Sequence, residues 1–142
     1  MKIGIGADHG GFKLKQELIW HYADLGIVLI DYGTKSEEAC DYSDVANPLS
    51  EDIVNGKIDA GILICGAGIG MDIAANRHKG VRAGLLYSAF AAEMGRKHND
   101  INVAVFGGRT MSFQDAAARF DIFLATKFES GRHERRIEKL DR

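Results

Sequence analysis

The sequence holds one proline, two cysteines and no apolar run near the 18–20 residues a bilayer-spanning helix needs. Each scarcity excludes something. Cys40 and Cys65 cannot make a disulfide framework, and the expected compartment is a reducing cytosol in which thiols stay free. The N-terminus, Met1–Gly6, has no small-residue cleavage site, so no signal peptide is expected. No C-x-x-C or H-x-x-x-H occurs, so a metal site has no local support. No G-x-x-x-x-G-K-[ST] occurs, which excludes a P-loop. Charge of one sign is also missing: 18 basic against 20 acidic residues give a net charge of -2. That balance argues against a nucleic-acid or membrane partner held by bulk positive charge.

Glycine is abundant, with 17 in 142 residues, and its placement follows an alternation of apolar and amphipathic segments. Strands are expected at Lys2–Gly6, Ile27–Tyr32, Ala60–Cys65, Val81–Tyr87 and Asn102–Phe106. Ala60–Cys65 shows no alternation, so both its faces should be covered. Leu14, Leu18, Tyr22 and Leu25 mark a helix face that Gly26 should end. Val45, Leu49 and Ile53 mark another, with Pro48 placed in its first turn. A short helix should follow Gly70, and Ser88 should cap one running to about Lys97. Ser112-x-x-Asp115 reads as a capping box before Phe113, Ala116, Phe120 and Phe123. Ser130 should cap a last helix, over about 130–140, that turns Ile137 and Leu140 inward. The chain therefore reads as a single α/β domain over residues 1–142. Its expected form is a Rossmann-like three-layer α/β/α sandwich on a five-stranded parallel sheet.

Right-handed crossovers put all strand C-termini on one edge, and ligands of such folds bind there. The glycines miss the dinucleotide fingerprint: Gly4, Gly6 and Gly10 give G-x-G-x-x-x-G, and Gly66, Gly68 and Gly70 give G-x-G-x-G. The second set still aims successive N–H groups at one point, as an anion or enolate site would. Cys65, the last residue of its strand, faces that nest and a helix N-terminus, which favour a negative sulfur; an inert core cysteine is the alternative. Cys40, in a polar loop, reads as incidental. Asp8-His9 and His98-Asn99 are expected near one edge, as in a site for a polyhydroxy ligand. Arg132 and Arg136, one turn apart, suit a phosphate dianion, although Glu134 and Glu138 among them fit a solvated face equally. Arg109 is a third candidate cation.

Taken together, Gly6-Ala7-Asp8-His9-Gly10-Gly11, Asp41-Tyr42, Gly61–Gly66 with Gly68-Ile69-Gly70, Ala74-Ala75-Asn76, His98-Asn99-Asp100, Phe106–Arg109 and Gly131-Arg132-His133 resemble the type B ribose-5-phosphate isomerases. The wider family includes galactose- and allose-6-phosphate isomerases. The resemblance covers nearly the whole chain. It implies a cytosolic, metal-free and cofactor-free aldose–ketose isomerase, acting on a phosphorylated sugar in the pentose phosphate pathway. It also implies homodimers, or dimers of dimers, that share active sites.

By the same resemblance Cys65 is the base that moves a proton between C1 and C2. Gly66, Ala67, Gly68, Ile69 and Gly70 form the enediolate nest, and His98 is the acid that opens the sugar ring. Asp8 and Asn99 hold hydroxyls, Tyr42 lines the pocket, and His9, Arg109, Arg132 and Arg136 grip the phosphate. The sequence departs from the pattern at Ala67, where the family usually has Thr or Ser. Another branch has a glutamate base where this chain has Met71, which leaves Cys65 as the matched base. Ribose 5-phosphate is the first expected substrate. A hexose 6-phosphate and a non-catalytic sugar-phosphate-binding role are the alternatives.

Overall fold

The computed structural model describes residues 1–141. In chain order the elements are β1 (Ile3–Ala7), α1 (Phe12–Asp24), β2 (Leu29–Asp31), α2 (Tyr42–Val54), β3 (Ala60–Cys65), α3 (Ile69–Ala75), β4 (Ala83–Leu85), α4 (Ala89–Asn99), β5 (Val103–Gly107), α5 (Phe113–Ala125) and α6 (Arg132–Glu138). The strands form one parallel sheet in the order β2-β1-β3-β5-β4. This is the expected α/β architecture. One layer packs Leu14, Leu18, Tyr22, Ala116 and Phe120 against the sheet; the other packs Val45, Leu49, Met71 and Ala75. All six residues of β3 are buried, as its unbroken apolar run requires.

Strand order places the ligand edge. The chain leaves β1 for β2 on one side, then crosses back over β1 to reach β3 on the other. The loops after β1 and β3 therefore diverge from neighbouring strands, which opens a crevice at their C-terminal ends.

Several boundaries differ from the sequence reading. α1 ends at Asp24 and Leu25 is exposed, whereas Lys15, near the start of the helix, is buried. Lys15 Nζ meets both Asp31 carboxylate oxygens at 2.8 Å, which makes its burial tolerable. β2 is only three residues long because it pairs on one side alone, leaving Val28 and Ile30 exposed. α2 begins at Tyr42, so Pro48 lies inside the helix rather than in its first turn. Pro48 and Asp44 are both on the solvent face, where water can serve the carbonyl that proline leaves unpaired. Ser88 and Ser112 do cap their helices, accepting from Ala91 N and Asp115 N. Asp115 turns to Arg119 instead of closing a capping box. Gly131, not Ser130, is the N-cap of α6. Leu140 is exposed, Ile137 is half-buried, and the residue α6 buries is His133.

Candidate active site

Cys65 ends β3 opposite Gly107, the last residue of β5, and is only 6% exposed. Its carbonyl accepts from Gly108 N at 2.8 Å, and the Gly66 carbonyl accepts from Arg109 N at 3.0 Å. These two bonds tie the loops after β3 and β5 together. Among the described residues, no backbone carbonyl accepts from the N–H groups of Gly66, Ala67, Gly68, Ile69 or Gly70. Five consecutive free donors beside a buried thiol make a site for an oxygen that gains negative charge.

Glycine is required in this loop. Gly68 has φ +84°, and a Cβ there would lie 2.5 Å from Leu85 Cδ1. A Cβ on Gly70 would lie 2.9 Å from the Tyr42 ring, which covers the start of α3. A Cβ on Gly66 would come within 3.3 Å of Arg109 Nη1, so the guanidinium lies across the nest. Ala67 is exposed at the tip of the loop.

The β1 loop supplies the opposite wall. Asp8 is buried, and its Oδ1 accepts from Gly10 N at 2.9 Å, which fixes the carboxylate at the strand end. Gly10 packs on Gly66: a Cβ there would be 3.0 Å from Gly66 N. His9 Nδ1 accepts from Cys40 N at 3.2 Å. That bond leaves the hydrogen on Nε2, so His9 offers a donor to a ligand. Cys40 thus contributes through its backbone, a role its loop position did not reveal.

Asp8, His9, Tyr42, Cys65, Gly66–Gly70 and Arg109 are therefore brought together at one edge. The remaining four candidates are not. His98 and Asn99 lie in the last turn of α4, which runs back from the end of β4 and feeds β5 at Val103. Asp100 next to them binds Arg82, which precedes β4. His98 and Asn99 thus belong to the edge opposite Cys65, and the expectation of two histidine pairs at one edge fails within a single chain. A parallel sheet causes this: every helix that returns between strands ends where strands begin. α6 packs on α4, so Arg132 and Arg136 lie in the same distant group, both exposed.

This second group contains a residue given no role from the sequence. His133 is 3% exposed and stacks on His98, with ring centroids 4.2 Å apart and planes at 12°. The Glu129-x-x-x-His133 spacing was the available signal. Burial, then the nearby His98, Arg132 and Arg136, hold the His133 imidazole below the usual histidine pKa, against a smaller opposing effect of Glu129. His98, Glu129 and His133 place three potential metal-ligand atoms within 4.8 Å of one another. The two rings are nearly parallel, however, so their in-plane lone pairs cannot converge on one ion. A cavity of about 450 Å³ runs along the free side of β4, lined by Asn76, Arg82, Leu85, Gly95, Asn99 and Leu140.

A thiol, a free N–H nest and a carboxylate at the switch point define an open-sheet α/β protein with a small-ligand site at its strand ends. Residues 3–140 match the family model described as Ribose/Galactose Isomerase, and the chain belongs to that family. It is 41% identical over 139 residues to ribose-5-phosphate isomerase B of Escherichia coli, covering 98% of this chain and 93% of that one. A ribose 5-phosphate isomerase of Thermotoga maritima superposes with a TM-score of 0.97 at 44% identity, covering 99% of this chain and 97% of that one. Ribose-5-phosphate isomerase B of Mycoplasma genitalium, solved with bound ribulose-5-phosphate, has a TM-score of 0.92 at 36% identity, covering 98% and 93%. Among the described residues no helix is long and apolar enough to cross a membrane.

Proposed function

We propose that the chain interconverts D-ribose 5-phosphate and D-ribulose 5-phosphate in the cytoplasm, as a homodimer whose active sites are each built from two copies. The observation that carries the chemistry is Cys65 buried beside five unpaired backbone N–H groups. In the open-chain aldose, the Cys65 thiolate removes the proton on C2. The electron pair forms a C1–C2 double bond, and the carbonyl oxygen becomes the enediolate oxygen held by Gly66–Gly70. Proton exchange between the two oxygens and return of a proton to C1 give the ketose. Nest donors aimed at charge that appears only during reaction are worth roughly 3–4 kcal/mol each where the bond is strong. A positioned base adds about 10²–10⁴-fold.

The split of the candidates between opposite edges supports the two-copy site. One copy supplies Asp8, His9, Tyr42, Cys65, the nest and Arg109. The second supplies His98 as ring-opening acid, Asn99 for a hydroxyl, and Arg132 and Arg136 for the phosphate. A pentose phosphate has a cyclic resting form and a dianionic end, and on this reading the second copy adds a ring-opening acid and two further cations to the His9 and Arg109 of the Cys65 edge. Ala67 favours no particular chain length, since its side chain meets solvent. The test is an isomerase assay on five- and six-carbon aldose phosphates, with Cys65→Ala alongside. Ribose 5-phosphate should turn over fastest, and Cys65→Ala should abolish turnover while substrate still binds. A faster hexose 6-phosphate, or a fully active Cys65→Ala variant, overturns the reading.

A further inference from the structure

We propose that His133 is a positioning residue for His98: its buried ring fixes the plane in which His98 presents its N–H to the sugar. The inference rests on the ring-opening role given to His98 above.

The geometry argues it in three steps. His98 is half-exposed in the last turn of α4, where one face of its ring would otherwise be free to turn. His133 covers that face in a near-parallel stack at 4.2 Å. The segment holding His133 is itself tied to α4, since Glu129 N donates to Lys97 O at 3.1 Å. The stack is therefore anchored from both sides.

The second step concerns charge. Two imidazolium rings in contact would repel, so the pair does not carry both charges at once. The groups facing His133 are His98 from α4, Glu129 from the segment before α6, and Arg132 and Arg136 on α6 itself. His133 Nε2 is buried without a hydrogen-bond partner, and Glu129 Oε2 stands 3.7 Å away, beyond bonding distance. Protonating His133 would bury a charge next to two guanidinium groups, with only the Glu129 carboxylate, at 3.7 Å, to oppose them. His98 is half-exposed and is the ring of the pair that can reach a ligand.

The third step is the reaction. His98 gives its proton to the ring oxygen, the bond from that oxygen to the anomeric carbon breaks, and the anomeric hydroxyl releases its proton to the Asp8 carboxylate of the copy that supplies Cys65. Donation along one line of approach needs the imidazole in one plane, which the stack supplies.

The test separates ring opening from proton transfer at carbon. Ribulose 5-phosphate cannot close a furanose ring, because its C5 oxygen carries the phosphate. Exchange of its C1 hydrogen with D₂O, followed by NMR, therefore reports on Cys65 without ring opening. His133→Ala should cut ribose 5-phosphate turnover about tenfold or more while exchange stays within about twofold. His133→Phe, which keeps a flat ring, should restore most of the turnover. Unchanged turnover in His133→Ala, equal loss of both activities, or a Phe variant as poor as the Ala variant each overturns the proposal. His98→Asn is measured in parallel. If it shows no selective loss, the ring-opening role of His98 itself fails; if it does and His133→Ala does not, only the positioning role fails.

Discussion

Cys65 and His98 stand at opposite edges of one parallel sheet, the first ending β3 and the second in the helical turn that feeds β5. If the two act as base and acid, as proposed, they cannot meet on one small sugar within a single chain. In the proposed homodimer, a two-fold axis would bring the Cys65 edge of one copy to the His98 face of the other, twice. Cys65→Ala and His98→Asn should each be nearly inactive alone. Mixed after denaturation and refolded together, they should recover roughly a quarter of normal activity, since half the pairs are mixed and each holds one intact site. No recovery in demonstrably mixed pairs would place both residues in one copy's site.

Ala67 lies exposed at the nest tip, so a larger side chain there meets solvent rather than core. Ala67→Thr should leave kcat on ribose 5-phosphate unchanged or raise it. Steady-state kinetics with a melting curve checks this: a large fall in kcat with an intact fold would mean the nest is built around alanine.

Arg132 and Arg136 are exposed, and neither makes an ion pair among the described residues. Cations left unpaired on one helix are suited to an anionic ligand. Arg136→Ala should raise KM severalfold with little change in kcat, if its bond to phosphate is equally strong in ground and transition states. Arg136→Lys should rescue in part, supplying charge without the planar fork. Parental KM in alanine variants of both arginines would return them to the role of a solvated face.

Lys15 is buried against the Asp31 carboxylate, which is itself 43% exposed at the side chain. Asp31→Asn leaves a buried ammonium without its counter-charge. It should cost about 3 kcal/mol, at the low end for a broken buried pair because Asp31 is partly solvated. Urea unfolding measures it, and Lys15→Met should be the milder change.

His133 gives stability a direction with pH. Its folded-state pKa is depressed, so the unfolded chain binds the proton more readily. The contribution is fully present above the ordinary histidine value of about 6.5 and is lost as pH falls from there through the depressed value. Melting temperature should therefore drop on acidification through that window. His133→Phe should flatten the drop, and an unchanged slope in that variant would assign it to other groups.

Much of the fold was legible because local patterns carry it. The unbroken Ala60–Cys65 run announced a strand covered on both faces, and it is one. Ser88 and Ser112 announced helix starts through the oxygen each offers the first turn, and both bonds form. Gly66, Gly68 and Gly70 announced a loop needing close approach, and Leu85, Phe106, Tyr42 and Arg109 make that approach. Periodicity misled where length was short or a residue's burden unusual. Leu25 and Leu140 fit apolar spacings yet are exposed at helix ends, while Lys15 and His133 are buried. A buried charge is decided by a partner far away in sequence, here Asp31.

By itself the sequence determined the alternation of strands and helices, the thiol at a strand end and the glycine nest after it, because these depend on residues adjacent along the chain. Only the tertiary structure decided that the residues named for one site fall into two groups on opposite edges of the sheet. It also decided that His133 lies against His98. The physical reason is that a parallel sheet sends each return helix to the far edge, and side-chain spacing within a segment carries no information about which edge another segment will reach.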